Sequence, residues 1–465
     1  MGKTSKKTKM INWLKKNYTN MPDCIVYLIG KIGNSFSYKV RYGKDFYSTY
    51  EKLKETEFLS KVEIDRLVLN NLEYIIKYAY EHVPYYKEKY SDLNIEEFNS
   101  FEDIEKLPFL DKSIVRENTD KLISNEFDKK DLIVKATSGS TGMPLGLYMN
   151  KETTLKEWAF VVHIWEQIGY NKSSKRIIMR ELDDKTRGNC YFDPIKQELR
   201  IDVSSMTDEN MEIYCKAIEK YKPEFVHGYP SATILLCQYI NKRGFLNHQF
   251  KGVLPSSEGM SLDEVNFVKD TLKCPVLSFY GHTERLVMAG QCKESESYHV
   301  EPLYGYCELI DQNGDVIHEK GITGEIVATG FCNTAMPLIR YKTGDLAQWG
   351  EECQKCGKHY KVLEKLEGRT TEYLVGMDNT KIPLTSFSYS FYQQHLKAFQ
   401  FYQEEIGKVT VRCIFENNVT DEDKEYVLNS LTQDSKNKIE FKLESWKELS
   451  RKTSGKRELI IQKLK

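Results

Sequence analysis

Between residues 177 and 280, short apolar runs alternate with longer stretches of helical period, and this alternation leaves little choice of fold. Ile177-Ile178-Met179, Phe225-Val226-His227, Gly252-Val253-Leu254 and Val276-Leu277-Ser278-Phe279-Tyr280 read as strands. Residues 208–220, 231–242 and 262–272 read as the helices between them. Short apolar strands joined by helical crossovers build a parallel sheet within an α/β domain. Ligands in such sheets gather beyond the carboxyl ends of the strands. Three loops are expected there: His227-Gly228-Tyr229-Pro230, Ser256-Ser257-Glu258-Gly259 and Gly281-His282-Thr283-Glu284.

Around this core the pattern changes. Residues 62–90 carry helical spacing, and Pro84 should stop that helix near His82-Val83. From 303 to 349 the pattern is hairpin-like, with an Asn313-Gly314 turn between apolar runs and a further strand at Gly324-Glu325-Ile326-Val327-Ala328. After Arg369 short strands and helices rich in charge take over, which places a domain boundary near that residue. The expected division is a basic N-terminal segment (1–60), a large domain (61–369) and a small C-terminal domain (370–465).

Ahead of the alternating region lies Thr137-Ser138-Gly139-Ser140-Thr141-Gly142-Met143-Pro144, between the apolar runs Leu132-Ile133-Val134 and Leu145 to Met149. Strand, polar turn, strand is the simplest reading. Two glycines let backbone N–H groups approach a ligand, and four hydroxyls add donors, a combination suited to a polyanion. It is not a Walker A loop, because no Gly-Lys-Ser/Thr ends it. The plain alternative is an ordinary Gly/Ser hairpin.

A net charge of −1 argues against a nucleic-acid binder driven by bulk charge. Eleven cysteines scattered through 465 residues suit free or metal-bound thiols in a reducing cytoplasm. No run of about 18 apolar residues is present, and no signal peptide is visible. Lysines dominate the first 55 residues, interleaved with Met10, Ile11, Trp13 and Leu14. This segment reads either as peripheral contact with an anionic membrane face or as a solvated helix packing its apolar side on the body.

Four later stretches follow the polar loop in order: Phe279-Tyr280-Gly281-His282-Thr283-Glu284, Tyr341-Lys342-Thr343-Gly344-Asp345-Leu346, Glu367-Gly368-Arg369 and Thr453-Ser454-Gly455-Lys456. In this order the motifs resemble those of the adenylate-forming enzymes over nearly the whole chain. Within that superfamily the chain looks like the phenylacetate–coenzyme A ligase branch, and is most similar to members associated with capsular polysaccharide genes. The resemblance implies a large N-terminal α/β domain with mixed sheets and a small mobile α+β C-terminal domain. It implies ATP- and Mg²⁺-dependent activation of a carboxylate as an acyl adenylate, followed by transfer to coenzyme A by default. An amine or hydroxyl of a sugar or glycan intermediate is the alternative acceptor. A non-catalytic nucleotide-binding scaffold at the membrane surface is the alternative of another kind.

Residue by residue, Lys456 matches the catalytic lysine, and Thr137 to Gly142 the phosphate loop. Glu284 matches the Mg²⁺ carboxylate, and Thr283 a phosphate donor. Tyr280 and Gly281, with Ser257, Glu258 and Gly259, match the adenine-flanking segments. Asp345 matches the ribose carboxylate, and Arg369 a ribose or phosphate contact at the domain joint. His227, Gly228, Tyr229 and His282 fall where the fold receives the acyl group; either histidine could instead be a satisfied structural one, the commoner case for a lone histidine. Thr371 stands where the family has a hinge aspartate or lysine, which leaves the usual domain rotation open.

Cys353-Gln354-Lys355-Cys356-Gly357 has zinc-knuckle spacing, and Cys292 and His299 flank a polar loop upstream. Cys₃His is a closed tetrahedral zinc set, and the resemblance implies a structural metal at these positions. Two unrelated free thiol pairs are the alternative.

Overall fold

The parallel sheet forms as the alternation predicts. Strands β3 (Arg176–Arg180), β5 (Glu198–Asp202), β6 (Phe225–Gly228) and β7 (Gly252–Pro255) run parallel in the order β5-β3-β6-β7, and β4 (Cys190–Asp193) adds an antiparallel edge to β5. All of β7 is buried, as expected of a strand covered on both faces. Counting the longer helices from the N terminus, α1 is Lys44–Thr56, α2 Lys61–His82 and α3 Lys151–Trp165. The crossover helices are α4 (Asp208–Tyr221), α5 (Pro230–Arg243) and α6 (Leu262–Leu272), each within two residues of its sequence-derived span. Their starts are set locally: Thr207 accepts the Asn210 N–H, Pro230 occupies the first turn of α5, and Ser261 and Glu264 form a capping box. In α2 the Ser60–Glu63 capping box and the Val83-Pro84 stop do the same.

The computed structural model describes residues 28, 30, 38–136, 145–182, 188–369, 373–384, 387, 396–415, 419–450 and 458–464. Among these, no helix is long and apolar enough to cross a membrane. Phe46, Tyr50 and Leu53 of α1 are buried in one cluster with Phe160, Ile164 and Trp165 of α3. The described part of the basic N-terminal segment therefore turns its apolar side onto the body. Met10 to Leu14 lie outside the described residues.

One expected parallel strand is different. Val276 makes a single parallel bridge to Val253, and the chain then leaves that sheet. The Ser278 N–H is taken by the Gln291 side chain, and β8 (Phe279–Gly281) pairs antiparallel with β9 (Met288–Gln291). These two edge a seven-stranded antiparallel sheet in the order β11-β12-β13-β14-β10-β9-β8. Its other strands are β10 (Tyr298–Val300), β11 (Gly305–Ile310), β12 (Thr323–Gly330), β13 (Tyr341–Trp349) and β14 (Val362–Arg369). The Asn313-Gly314 turn forms, with Gly314 at φ +94°, yet returns only one bridge, Ile310 to Val316; the full partner of β11 is β12.

Strands β1 (Ile133–Ala136) and β2 (Gly146–Met149) pair antiparallel on either side of the Gly/Ser/Thr loop. After a small hairpin, β15 (Tyr373–Val375) and β16 (Lys381–Pro383), the chain forms a four-stranded sheet β19-β18-β17-β20 from β17 (Leu396–Glu405), β18 (Lys408–Phe415), β19 (Glu440–Ser445) and β20 (Ile460–Gln462). Helix α7 (Asp421–Asp434) lies between β18 and β19. The apolar cluster around the parallel sheet continues into Leu374, Phe399, Phe401 and Phe441 of this region.

Candidate functional site

Tyr280 and Asp345, sixty-five residues apart, meet: the tyrosine hydroxyl donates to Asp345 Oδ2 at 2.8 Å. Asp345 is held by its own turn. Gly344 adopts φ +76°, its N–H donates to Glu325 Oε1 at 3.0 Å, and the Asp345 N–H donates to Thr343 Oγ1 at 3.1 Å. A positive φ is the reason for glycine there. Burial, reinforced by the Asp345 carboxylate, pushes the Tyr280 phenol well above its ordinary range, so it stays a donor. Arg369 stands directly across from Asp345 in the β13–β14 ladder.

Glu284 lies in the turn between β8 and β9. The Tyr341 hydroxyl donates to its Oε1 at 3.3 Å, and His282 Nδ1 lies 3.2 Å from its Oε2. Gly281, the last residue of β8, and Thr283 in the turn are exposed. The turn thus presents polar groups outward over an anchored carboxylate.

At the ends of β6 and β7 a second group gathers. His227 Nδ1 donates to the Leu254 carbonyl at 2.9 Å, and its ring packs 4.8 Å from Trp165. Burial, then Arg176 and Arg180, hold His227 well below the usual histidine range, so the imidazole is neutral with its lone pair on Nε2. Gly228 follows it at the end of β6. Arg180 donates to Ser256 Oγ at 2.6 Å and stacks 4.9 Å over the Tyr229 ring. Ser257 takes φ +72° and, like Gly259, is exposed. The Glu258 carboxylate accepts the Ser231 N–H at 3.0 Å and so sits on the positive end of α5.

The third group is Cys292, His299, Cys353 and Cys356, whose ligating atoms all lie within 4.8 Å of one another. Cys292 follows β9, His299 is on β10, and the other two fall between β13 and β14. Tetrahedral zinc, with bonds of about 2.3 Å to sulfur and 2.0–2.1 Å to nitrogen, requires S···S edges of about 3.8 Å and S···N edges of about 3.5 Å. The observed Cys292–Cys353 separation is 3.8 Å and Cys356–His299 Nε2 is 3.3 Å. Burial, with Lys358 nearby, pushes His299 down to about 4, the neutral form that ligates. The residues fit the metal.

The phosphate-loop residues Thr137, Ser138, Gly139, Ser140, Thr141 and Gly142 lie outside the described residues, as do Lys456 and Thr371. What sequence reasoning missed is Arg180, the role of Tyr341 inside its motif, and the buried Arg340 that precedes it. A lone arginine on a strand carries no pattern, and motif membership gave Tyr341 no partner.

Three comparisons relate the chain to known proteins. Residues 374–463 match the family described as CapK C-terminal domain. The chain is 24% identical to "Protein CapK" of Staphylococcus aureus over 479 residues, spanning 98% of this chain and 100% of that protein. It is 25% identical to a phenylacetate-coenzyme A ligase of Thermus thermophilus over 334 residues, 69% of this chain and 74% of that one. Among solved structures, a 2-hydroxyisobutyryl-CoA ligase in its postadenylation state with 2-HIB-AMP superposes with a TM-score of 0.70 at 16% identity, covering 88% of this chain and 91% of that chain. The same ligase in its thioesterification state with CoA scores 0.55. The chain is a homologue of CapK and of the phenylacetate–coenzyme A ligases, and its fold is that of the adenylate-forming ligases.

Proposed function

We propose that the chain uses ATP to activate a carboxylic acid as an acyl adenylate and then transfers the acyl group, with coenzyme A as the default acceptor. The observation that carries this reading is the meeting of two distant motifs: Tyr280 bonds Asp345, and Glu284 accepts from Tyr341 of the same strand as Asp345. A carboxylate attacking a triphosphate needs its charge offset by oriented donors and cations. In this reading Asp345 takes the ribose hydroxyls and Tyr280 flanks the base. Thr283 and the loop Thr137 to Gly142 donate to phosphates, as Arg369 does from the domain joint. Glu284 would hold Mg²⁺, a hard cation suited to a carboxylate, which would neutralise phosphate charge. Lys456 would supply an ammonium from the C-terminal region to the carboxylate and α-phosphate. His227, with a free-lone-pair imidazole, and Tyr229 would line the acyl site. Cys292, His299, Cys353 and Cys356 would hold a structural Zn²⁺. We place the domain joint at Arg369, in keeping with the CapK-type segment that begins at Leu374. Free thiols throughout the described chain suit a cytoplasmic protein.

One observation favours the second acceptor class. The phenylacetate ligases match 66–70% of the chain, whereas CapK spans 98% and residues 374–463 match the CapK C-terminal domain. The region that would meet the acceptor is of CapK type, which supports transfer to an amine or hydroxyl of a sugar or surface polysaccharide. Pyrophosphate release across a panel of carboxylic acids, with and without coenzyme A, tests both. Thioester formation supports the first reading; pyrophosphate release that coenzyme A neither accelerates nor converts to thioester supports the second. No pyrophosphate release with any acid would favour a non-catalytic nucleotide-binding scaffold.

A further inference from the structure

We propose that His282 is a positioning residue for the divalent-cation carboxylate Glu284, and not a contact for the acyl group. The proposal rests on the nucleotide reading above and adds a role for a side chain that the motif alone leaves open.

Both ring nitrogens of His282 are spoken for. The Val287 backbone N–H points at Nε2 from 3.3 Å. A backbone N–H can only donate, so Nε2 carries the lone pair and the ring hydrogen sits on Nδ1. That hydrogen faces Glu284 Oε2 at 3.2 Å. The imidazole is therefore locked in one tautomer by the backbone five residues on, and its single donor is spent on the carboxylate. Its side chain is 5% exposed and that of Glu284 13%. A buried ring with neither nitrogen available has nothing to offer an acyl group.

The other carboxylate oxygen is fixed from the opposite side by the Tyr341 hydroxyl. A carboxylate held by a donor on each oxygen is restrained in rotation, so a cation that it binds meets it in one orientation. Partners of this kind, which orient a ligand without touching the metal, are worth about 10–100-fold in metal affinity. Tyr341 begins the Tyr-Lys-Thr-Gly-Asp motif, so the same pair of contacts also ties the cation carboxylate to the strand that carries Asp345.

The test uses full-length protein, ATP and Mn²⁺ as a paramagnetic stand-in for Mg²⁺, with water-proton relaxation reporting the protein-bound ion. His282→Leu keeps the volume and removes the donor. It should weaken protein-bound Mn²⁺·ATP by about tenfold or more, while metal-free ATP binding, measured calorimetrically in chelator, stays within twofold. His282→Asn, whose amide N–H falls near the Nδ1 position, should recover much of the loss; a purely structural role would not distinguish the two. Should His282→Leu fail to fold, His282→Asn against His282→Gln makes the same comparison, with Asn expected to bind the ion more tightly. Unchanged Mn²⁺ affinity in His282→Leu, or Asn no better than the variants without a donor there, overturns the proposal. A parent protein that gives no ternary complex with Mn²⁺ and ATP overturns the nucleotide reading itself, before any variant is compared.

Discussion

Arg340 offers the sharpest test of how the motif strand is held. It precedes Tyr341 in a left-handed backbone conformation, φ +49°, and its guanidinium is 2% exposed. Nε and one terminal nitrogen donate to the two oxygens of Glu308 at 3.2 and 2.8 Å; the other terminal nitrogen donates to the carbonyls of Glu105 and Leu107 at 2.7 and 2.8 Å. The Phe109 ring lies 4.2 Å away. Arg340→Met keeps most of the apolar stem and leaves Glu308 and two carbonyls without their cation. Removing one partner of a buried pair costs about 3–5 kcal/mol, and the stranded carbonyls push toward the upper end. For a region of this size that is a fall on the order of 10 °C in apparent melting temperature.

The loss should also depend on pH. Burial holds the Glu308 carboxyl above the ordinary carboxylate range, and Arg340 opposes that shift. Without the arginine the folded-state value rises further above the unfolded one. Stability tied to such a group is fully present below the unfolded value and is lost as pH climbs through the folded value. The variant should therefore lie nearest its parent at about pH 5 and fall further behind toward pH 8. Arg340→Met combined with Glu308→Leu should regain most of the stability, since an apolar replacement of a buried pair is often neutral. Scanning calorimetry of the three proteins at both pH values decides it. A loss under about 1 kcal/mol in the single variant, or a pH trend of the opposite sign, would refute the reasoning.

Three further outcomes are expected. Purified protein should carry stoichiometric zinc, and Cys356→Ser should lower both zinc content and melting temperature; metal-free protein with an unaltered melt in the variant would remove the site. Lys456→Ala should slow acyl-adenylate formation by about 10²–10³ while sparing ATP binding within a few-fold, and pyrophosphate release that stays within about tenfold of the parent would exclude the role. Gly305→Ala should drive a Cβ into the Leu286 carbonyl and to 2.7 Å from that of Thr329, so ATP binding by calorimetry should weaken; unchanged affinity and melting would show that the close contact relaxes freely.

Legibility in the sequence followed the range of the forces involved. Helices α4 and α6 were readable nearly to the residue because the signals that start them, Thr207 and the Ser261–Glu264 box, are local. The run Val276 to Tyr280 was misread as one parallel strand because its apolar pattern suits either sheet. What diverts it is the Gln291 side chain capping the Ser278 N–H, a partner thirteen residues on that no period encodes. At the site, Tyr280, Glu284 and Asp345 were legible through motif order. Arg180 and Tyr341 were not, since their roles exist only once separate strands are brought together. Glu258 was legible as a residue of interest, but its attachment to the start of α5 depends on where β6 and β7 end.

The pairing of Tyr280 with Asp345 also says what shape the sheet must have. They stand on β8 and β13, with β9, β10 and β14 between them in sheet order. Four steps of about 4.8 Å would separate them by roughly 19 Å on a flat sheet, more than the two side chains and the hydrogen bond between them can span. The 2.8 Å bond therefore requires the sheet to coil, in the sense that stacked right-handed strand twist produces. The contacts at its far end agree. The turn after Glu284 lies on β11 and β12, where a Cβ on Gly305 would strike the Leu286 carbonyl and one on Gly330 would come within 2.7 Å of Leu286 Cδ2. Arg285 enters that turn at φ +58° and is fixed by a 2.7 Å ion pair to Glu157 on α3. The four-ligand cluster sits on the same strands, joining the β9–β10 connection to the β13–β14 connection. A metal there would fasten together the two halves of the sheet that supply Tyr280 and Asp345, so its structural role and the nucleotide site would share one cause: the curl of a single antiparallel sheet.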